Sequence, residues 1–221
     1  MKVKIVILFL FVTAFCWAQL PKGFVYVKDV IPTIKVDLRY YSDNNFLGKK
    51  VDGYQANVAI LSEKAALALK NVQDELTRYD LSIMIYDSYR PQTAVNHFVR
   101  WAKVLNDTIN KRAFYPNVDK RNLFKEGYIA SKSGHTRGST LDITLVDINT
   151  SEPLDMGSPY DFFGKESWVE NNKLTAQQRA NRMLLQTIML KHGFRNYPKE
   201  WWHFTLRNEP FPETYFDFPV N

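Results

Sequence analysis

The sequence predicts a single α+β domain, and three observations support this prediction. Segments with helical periodicity are interspersed with segments that alternate like strands, and a long, largely helical stretch separates two of those strands. The chain has 221 residues, and about 200 of them remain after a predicted leader. This is a normal size for one domain with a sizeable core. We find no repeat, low-complexity tract or linker in the sequence that would divide it.

The amino terminus has the layout of a secretory signal peptide. Lys2 and Lys4 precede an apolar run over residues 5–15, and the small residue Ala18 follows. We therefore expect a leader at residues 1–18 that is cleaved after Ala18. The apolar run is too short for a comfortable membrane span, so we expect no stable span after cleavage.

Export to the periplasm or the medium is the location that this leader predicts. Anchoring as a lipoprotein through Cys16 is a less favoured alternative, because the bulky Phe15 directly precedes it. Cleavage after Ala18 would remove the only cysteine, so the mature chain would have no disulfide.

The charge of the chain argues against a nucleic-acid partner. The formal net charge is +6 and falls to +4 when Lys2 and Lys4 are removed with the leader. Basic residues are scattered among acidic ones, which supports solubility and at most a weak attraction to anionic polymers.

Two helices are predicted before and after an early strand. Ser62 can cap a helix whose residues Leu69, Val72 and Leu76 recur on one side, and residues 81–86 then read as a strand. A second helix begins near Gln92. Its expected core residues are Val95, Phe98, Val99 and Ala102.

The clearest helix lies in the last quarter of the chain. Thr175 and Gln178 form a capping box, and Gly193 offers a stop. Its apolar bulk is expected from Met183, Leu184, Ile188 and Leu190.

Two strands each present polar side chains among apolar ones. Leu141, Ile143 and Leu145 alternate with Asp142 and Thr144 in the manner of a half-buried strand, so Asp142 is predicted to point away from the apolar face. Residues 202–206 alternate in the same way and expose His203.

These residues offer the ligands of a catalytic metal. His135 lies in a glycine-containing turn, and His135, Asp142 and His203 would supply the three protein ligands of a zinc ion with an open fourth position. Glu200, three residues before His203, can act as the base for an activated water. On residues alone, hydrogen-bonded structural histidines remain the alternative, and other divalent ions tolerate the same ligands.

The motifs together resemble the D-alanyl-D-alanine dipeptidases of the VanX type, within the wider group of zinc D,D-peptidases. The resemblance extends from about residue 24 to about residue 208. The matching segments are residues 133–142, 200–203, 37–40, 45–48, 51–54 and 87–91.

This resemblance implies a fold, a cofactor and catalytic residues. The fold would be a small, mostly antiparallel sheet that carries the zinc site and is flanked by helices, as in the Hedgehog-like zinc D,D-peptidases, with residues 19–221 as the catalytic domain. One Zn²⁺ per chain would be held by His135, Asp142 and His203, with Glu200 as general base and acid. Arg90 would stabilise the negative charge that develops on the peptide oxygen, although an arginine before a proline is usually solvated.

The resemblance also implies residues around a small dipeptide substrate. Asp161 would bind its ammonium group, Ser133 and Tyr54 would contact its backbone, and Asp87 would hold Arg90 beside it. For Asp161 the alternative is a turn residue, because its neighbours are rich in Gly and Pro.

The leading functional hypothesis is zinc-dependent hydrolysis of D-alanyl-D-alanine or a similar small D,D-dipeptide during cell-wall turnover or scavenging. A D,D- or L,D-carboxypeptidase that acts on longer peptidoglycan peptides is the first alternative. A non-catalytic zinc-binding module is the second.

Overall fold

The computed structural model describes residues 20–221, so the predicted leader and its cleavage site lie outside the described residues. The strands are β1 (Phe24–Tyr26), β2 (Lys35–Val36), β3 (Ile60–Ser62), β4 (Leu81–Asp87), β5 (Thr140–Asp147), β6 (Phe194–Tyr197) and β7 (Glu200–Leu206). The α-helices are α1 (Val27–Val30), α2 (Glu63–Leu76), α3 (Gln92–Lys103), α4 (Lys111–Phe114) and α5 (Ala176–Lys191). Short 3₁₀ helices span Arg39–Tyr41, Thr77–Tyr79, Lys120–Asn122, Gly134–Arg137 and Lys165–Ser167.

Five strands form the central sheet in the order β2-β4-β5-β7-β6. The short β2 pairs with β4 in parallel, whereas the other neighbouring pairs are antiparallel. Strands β1 and β3 form a separate antiparallel ribbon. The predicted α+β fold with a small, mostly antiparallel sheet is confirmed.

Helices α2 and α5 contact each other and the central sheet. Helix α2 begins where the sequence predicts, because the Ser62 side chain accepts a hydrogen bond from the backbone N–H of Ala65. Its predicted residues Leu69, Val72 and Leu76 are fully buried. Helix α3 likewise buries Val95, Phe98 and Ala102, whereas Val99 is only partly buried.

The buried stripe of α5 differs from the prediction. Its capping box is present, but Met183 is 58% exposed, and Leu185 and Met189 are buried instead. The stripe is rotated because Asn181 and Arg182 also face inward, where they donate hydrogen bonds to backbone carbonyls of residues 155–168. The helix therefore anchors a loop as well as covering the sheet, and apolar periodicity does not reveal that second role. Of the other predicted residues, Ile188 is buried, whereas Leu184 and Leu190 are partly buried.

Strand β5 is buried on both faces, which corrects the expectation of a half-buried strand. Leu141, Ile143 and Leu145 are fully buried, and Asp142 and Thr144 are at most 2% exposed. The hydroxyl of Tyr160 donates a hydrogen bond to Asp142, which shows that another part of the chain covers the polar face of β5. Asp142 consequently lies in a low-dielectric environment, where an unpaired carboxylate is costly.

Among residues 20–221, no helix combines the length and the apolar character that crossing a membrane requires.

Candidate metal centre and substrate cleft

The side chains of His135, Asp142 and His203 converge on one point. His135 Nε2 lies 3.3 Å from Asp142 Oδ1, His203 Nδ1 lies 3.0 Å from the same oxygen, and the two nitrogens are 3.3 Å apart. The structure therefore brings together the three residues that the sequence predicts as metal ligands.

Sheet register explains why two of these residues meet. Asp142 on β5 and His203 on β7 are directly paired across the antiparallel strands, so their side chains project from the same face. His135 arrives from the 3₁₀ helix just before β5. Gly138, which ends that helix at φ +79°, permits the sharp turn into the strand, and a Cβ at this position would lie 2.2 Å from the ring of Phe24.

Neighbouring groups fix the orientation of His135 and Asp142. His135 Nδ1 lies 2.8 Å from the carbonyl oxygen of Ser88. Since a carbonyl only accepts, Nδ1 carries the proton and the Nε2 lone pair faces the other two ligands. On Asp142, Oδ2 accepts a hydrogen bond of 3.0 Å from the hydroxyl of Tyr160, which leaves Oδ1 facing the histidines.

This donor set fits a zinc ion. Tetrahedral zinc with ligands at about 2.0–2.1 Å separates the ligand atoms by about 3.3 Å, which is close to the 3.0–3.3 Å between the three ligand atoms of this site. Asp142 Oδ1 is buried and accepts no hydrogen bond from any residue between 20 and 221, so it is an acceptor in need of a cation. Although burial opposes ionisation, His135 and His203 hold the pKa of Asp142 well below its usual range.

Glu200 begins β7 and lies beside this cluster. Its Oε2 is 3.4 Å from His203 Nδ1, and its side chain is 29% exposed at the cleft. Burial raises the pKa of the Glu200 carboxyl, while His203 opposes that shift. A carboxyl group whose pKa is moved upwards is suited to accept and return a proton near neutral pH.

Arg90 lines the cleft and is held from behind by Asp87. Both Nε and Nη2 of Arg90 donate to Asp87 Oδ2 at 2.8 Å, and the Tyr54 hydroxyl donates to Asp87 Oδ1 at 2.6 Å. Arg90 Nη2 also lies 3.7 Å from Asp142 Oδ2. Asp87 and Tyr54 are buried and do not line the cleft. Asp87 holds Arg90, and Tyr54 supports Asp87 rather than making the substrate contact expected from sequence.

Asp161 lies on another part of the cleft wall. Its side chain accepts a hydrogen bond of 2.7 Å from the Tyr40 hydroxyl, and its backbone has φ +58°, a left-handed conformation that Asp tolerates better than most residues. Burial, and then the charge of Asp142, raise the pKa of the Asp161 carboxyl well above its usual range. Among residues 20–221, no Arg, Lys or His lies within ion-pair distance of the Asp161 carboxyl group.

The cleft itself is small, with a volume of about 350 Å³. Ser133 lines it as predicted, and its side-chain oxygen accepts a hydrogen bond from the backbone N–H of His135. Aromatic and polar groups form the rest of the wall. They include Phe46, Phe98, Tyr128, Lys132, Phe163 and Tyr197.

Two tyrosines that organise this site have no role predicted from sequence. Tyr160 holds Asp142, Tyr40 holds Asp161, and the two hydroxyls lie 3.3 Å apart. Burial raises the pKa of both tyrosines well above the usual value, so both remain hydrogen-bond donors. The available signals were weak: Tyr40 lies in a segment that carried the family resemblance, and Tyr160 directly precedes Asp161.

Comparison with known proteins gives consistent matches over nearly the whole described chain. A family model described as D-ala-D-ala dipeptidase matches residues 21–221. The chain is 38% identical over 198 residues to a D-alanyl-D-alanine dipeptidase of Enterococcus faecium, which covers 90% of this chain and 98% of the relative. A D-alanyl-D-alanine dipeptidase of Streptomyces coelicolor is 39% identical over 197 residues, with 89% and 98% covered. One from Escherichia coli is 29% identical over 177 residues, with 80% and 81% covered.

Proposed function

Since the chain belongs to the D-ala-D-ala dipeptidase family, we propose that it is a zinc metallopeptidase that hydrolyses D-alanyl-D-alanine or a similar small D,D-dipeptide. The observation that carries this proposal is the convergence of His135, Asp142 and His203, with ligand atoms 3.0–3.3 Å apart. The carboxyl group of Glu200 lies next to them.

The metal and Glu200 divide the chemistry between them. When bound, zinc supplies a Lewis acid that lowers the pKa of water and polarises the peptide carbonyl. Glu200 takes the proton from the attacking water and later delivers a proton to the leaving amine. Its raised pKa suits both steps, because the group must hold a proton for part of the cycle.

Arg90 stabilises the negative charge that develops on the peptide oxygen. Two of its nitrogens are fixed by Asp87, and its side chain is only 12% exposed, so the guanidinium does not have to reorganise during the reaction. Stacking over the rings of Tyr40 and Phe98, at 5.0 and 5.1 Å, restricts it further.

Asp161 binds the ammonium group of the substrate. Within residues 20–221 this buried carboxyl accepts a hydrogen bond from Tyr40 but forms no ion pair. A substrate ammonium would supply the missing cation and favour the ionised form of Asp161. Ser133 lines the same cleft, and we expect it to contact the substrate backbone.

The proposed setting is outside the cytoplasm. The leader predicted at residues 1–18 supports export, and an exported dipeptidase would act on peptides released during cell-wall turnover. Cell fractionation and amino-terminal sequencing of the mature protein would test this location. Recovery of the uncleaved chain from the cytosol alone would contradict it, and a lipid-modified Cys16 would favour anchoring.

One experiment tests the activity. Purified protein is analysed for metal and then incubated with D-alanyl-D-alanine or with a peptidoglycan pentapeptide, with and without a chelator. We expect about one zinc per chain, hydrolysis of the dipeptide that the chelator abolishes, and an intact pentapeptide. Cleavage of the pentapeptide would favour the carboxypeptidase alternative.

A Glu200→Gln variant completes the test. It should retain zinc and the folded circular dichroism spectrum but lose hydrolysis, because the replacement keeps the shape and removes the base. Zinc binding without hydrolysis by the wild-type protein would favour a non-catalytic zinc module.

A further inference from the structure

Lys132 is a cation on the cleft wall to which neither the sequence nor the family comparison assigns a role. A free dipeptide carries an ammonium group at one end and a carboxylate at the other. The ammonium end is matched by Asp161, and a cation elsewhere in the cleft would match the carboxylate end. This reasoning rests on the proposed dipeptidase function.

Arg90 is not available for that carboxylate. It already donates two hydrogen bonds to Asp87 and lies 3.7 Å from Asp142. The guanidinium is mostly buried against aromatic rings, and it is needed at the reacting carbonyl. The cleft histidines, His135 and His203, face the point where the three candidate metal ligands converge.

Lys132 is available. It is exposed, and none of residues 20–221 accepts a hydrogen bond from its ammonium or forms an ion pair with it. Its Nζ lies 5.0 Å from the centroid of the Tyr215 ring, a cation–π contact that restrains the side chain but leaves its N–H donors without an oxygen acceptor. Lys132 directly precedes Ser133, and both residues line the cleft.

We propose that Lys132 is a specificity-determining residue that binds the free carboxylate of the dipeptide. The flexible four-carbon side chain carries three N–H donors and can adjust to the position of that carboxylate when the substrate binds between Asp161 and the candidate metal ligands. Lys132 would thereby favour dipeptides over longer peptides. It would not take part in the bond cleavage.

The test compares two substrates that differ only in this charge, D-alanyl-D-alanine and its carboxy-terminal amide. Lys132→Gln removes the cation and keeps most of the side chain, and Lys132→Arg restores the charge. Lys125→Gln is a matched control, because Lys125 is also exposed but does not line the cleft.

Lys132→Gln should raise the KM for the dipeptide about fivefold, the upper range for an exposed ion pair, with little change in kcat. The KM for the amide should stay unchanged in this variant. Lys132→Arg should remain close to wild type for both substrates, and Lys125→Gln should change neither. Equal effects on dipeptide and amide, or no effect on either, would overturn the assignment.

A binding measurement separates this inference from the proposed hydrolysis. Zinc-loaded Glu200→Gln protein is titrated with the dipeptide and with the amide by calorimetry, with and without Lys132→Gln. Loss of affinity for the dipeptide alone supports the carboxylate contact, whether or not the wild-type protein is an efficient hydrolase. Failure of the dipeptide to bind, or an equal loss for both compounds, overturns it. Wild-type protein that hydrolyses neither compound would instead remove the proposed function.

Discussion

Replacing Asp87 by Asn should show how much the buried Asp87–Arg90 ion pair behind the cleft contributes to stability and to activity. Asp87 is fully buried and accepts hydrogen bonds from Tyr54 at 2.6 Å and from two nitrogens of Arg90 at 2.8 Å. Asn has nearly the same size, but it is neutral, and its NH₂ group would face donors that need an acceptor. The guanidinium of Arg90 would then be left mostly buried without its partner.

The expected loss follows from that arrangement. Removing one partner of a buried ion pair costs about 3–5 kcal/mol, a large part of the about 5–15 kcal/mol that stabilises a typical domain. Arg90 would also lose its fixed position at the reacting carbonyl. Loss of such a donor lowers kcat by about 10²–10³.

Urea denaturation followed by circular dichroism measures the stability change, and dipeptide hydrolysis measures the change in rate. Tyr54→Phe removes one donor to the same carboxylate and should cost less, about 1.5–3 kcal/mol. The exposed Asp29→Asn provides a control for the chemistry of the substitution and should stay within about 0.5 kcal/mol of wild type. An Asp87→Asn protein within 1 kcal/mol of wild type, at an unchanged m-value, would refute this account of the cleft support.

Three further outcomes are expected. Chelation should lower the thermal midpoint, and zinc should restore it, because an ion at one thousand times its Kd stabilises the fold by about 4 kcal/mol; an unchanged midpoint would argue against a resident metal. Burial raises the pKa of Asp161, so the protonated carboxyl group contributes to the free energy of unfolding below about pH 4, and this contribution is lost as the pH rises through the raised pKa. Asp161→Asn should therefore be more stable than wild type at pH 7, and the difference should be smaller at pH 4. The same variant should bind the dipeptide more weakly. Melting curves at the two pH values check this, and equal curves would contradict it. Leu185→Ala should cost about 2–5 kcal/mol in urea denaturation and Met183→Ala less than about 0.5 kcal/mol, and the reverse order would contradict the packing of α5.

Part of the site could be predicted from sequence because two of the residues that form it lie in strands. Alternation along residues 141–145 predicts the direction of Asp142, and the same alternation exposes His203. The antiparallel register of β5 and β7 then makes the two residues direct neighbours. Alternation alone does not give that register, and the family resemblance supplied the expectation that the residues meet.

The groups that orient the metal ligands were harder to predict from sequence. The carbonyl of Ser88 fixes the tautomer of His135 across 47 positions of sequence, and a backbone carbonyl has no residue type by which a pattern could identify it. Tyr40 reaches Asp161 across 121 positions. Buried tyrosines normally contribute to packing, so their residue type does not predict hydrogen bonds to particular carboxylates.

The two tyrosines give the site a physical connection between its metal end and its substrate end. Tyr160 donates to the metal-facing Asp142, Tyr40 donates to Asp161, and the two hydroxyl oxygens are 3.3 Å apart. Because both phenols stay protonated, each can share its single proton with only one strong acceptor at a time. Ionisation of Asp161 on substrate binding would strengthen the hydrogen bond from Tyr40, and a hydroxyl that donates more strongly also accepts more strongly. The Tyr40 oxygen would then compete with Asp142 for the proton of Tyr160, so substrate binding at Asp161 would alter the hydrogen bond that holds the metal-facing Asp142.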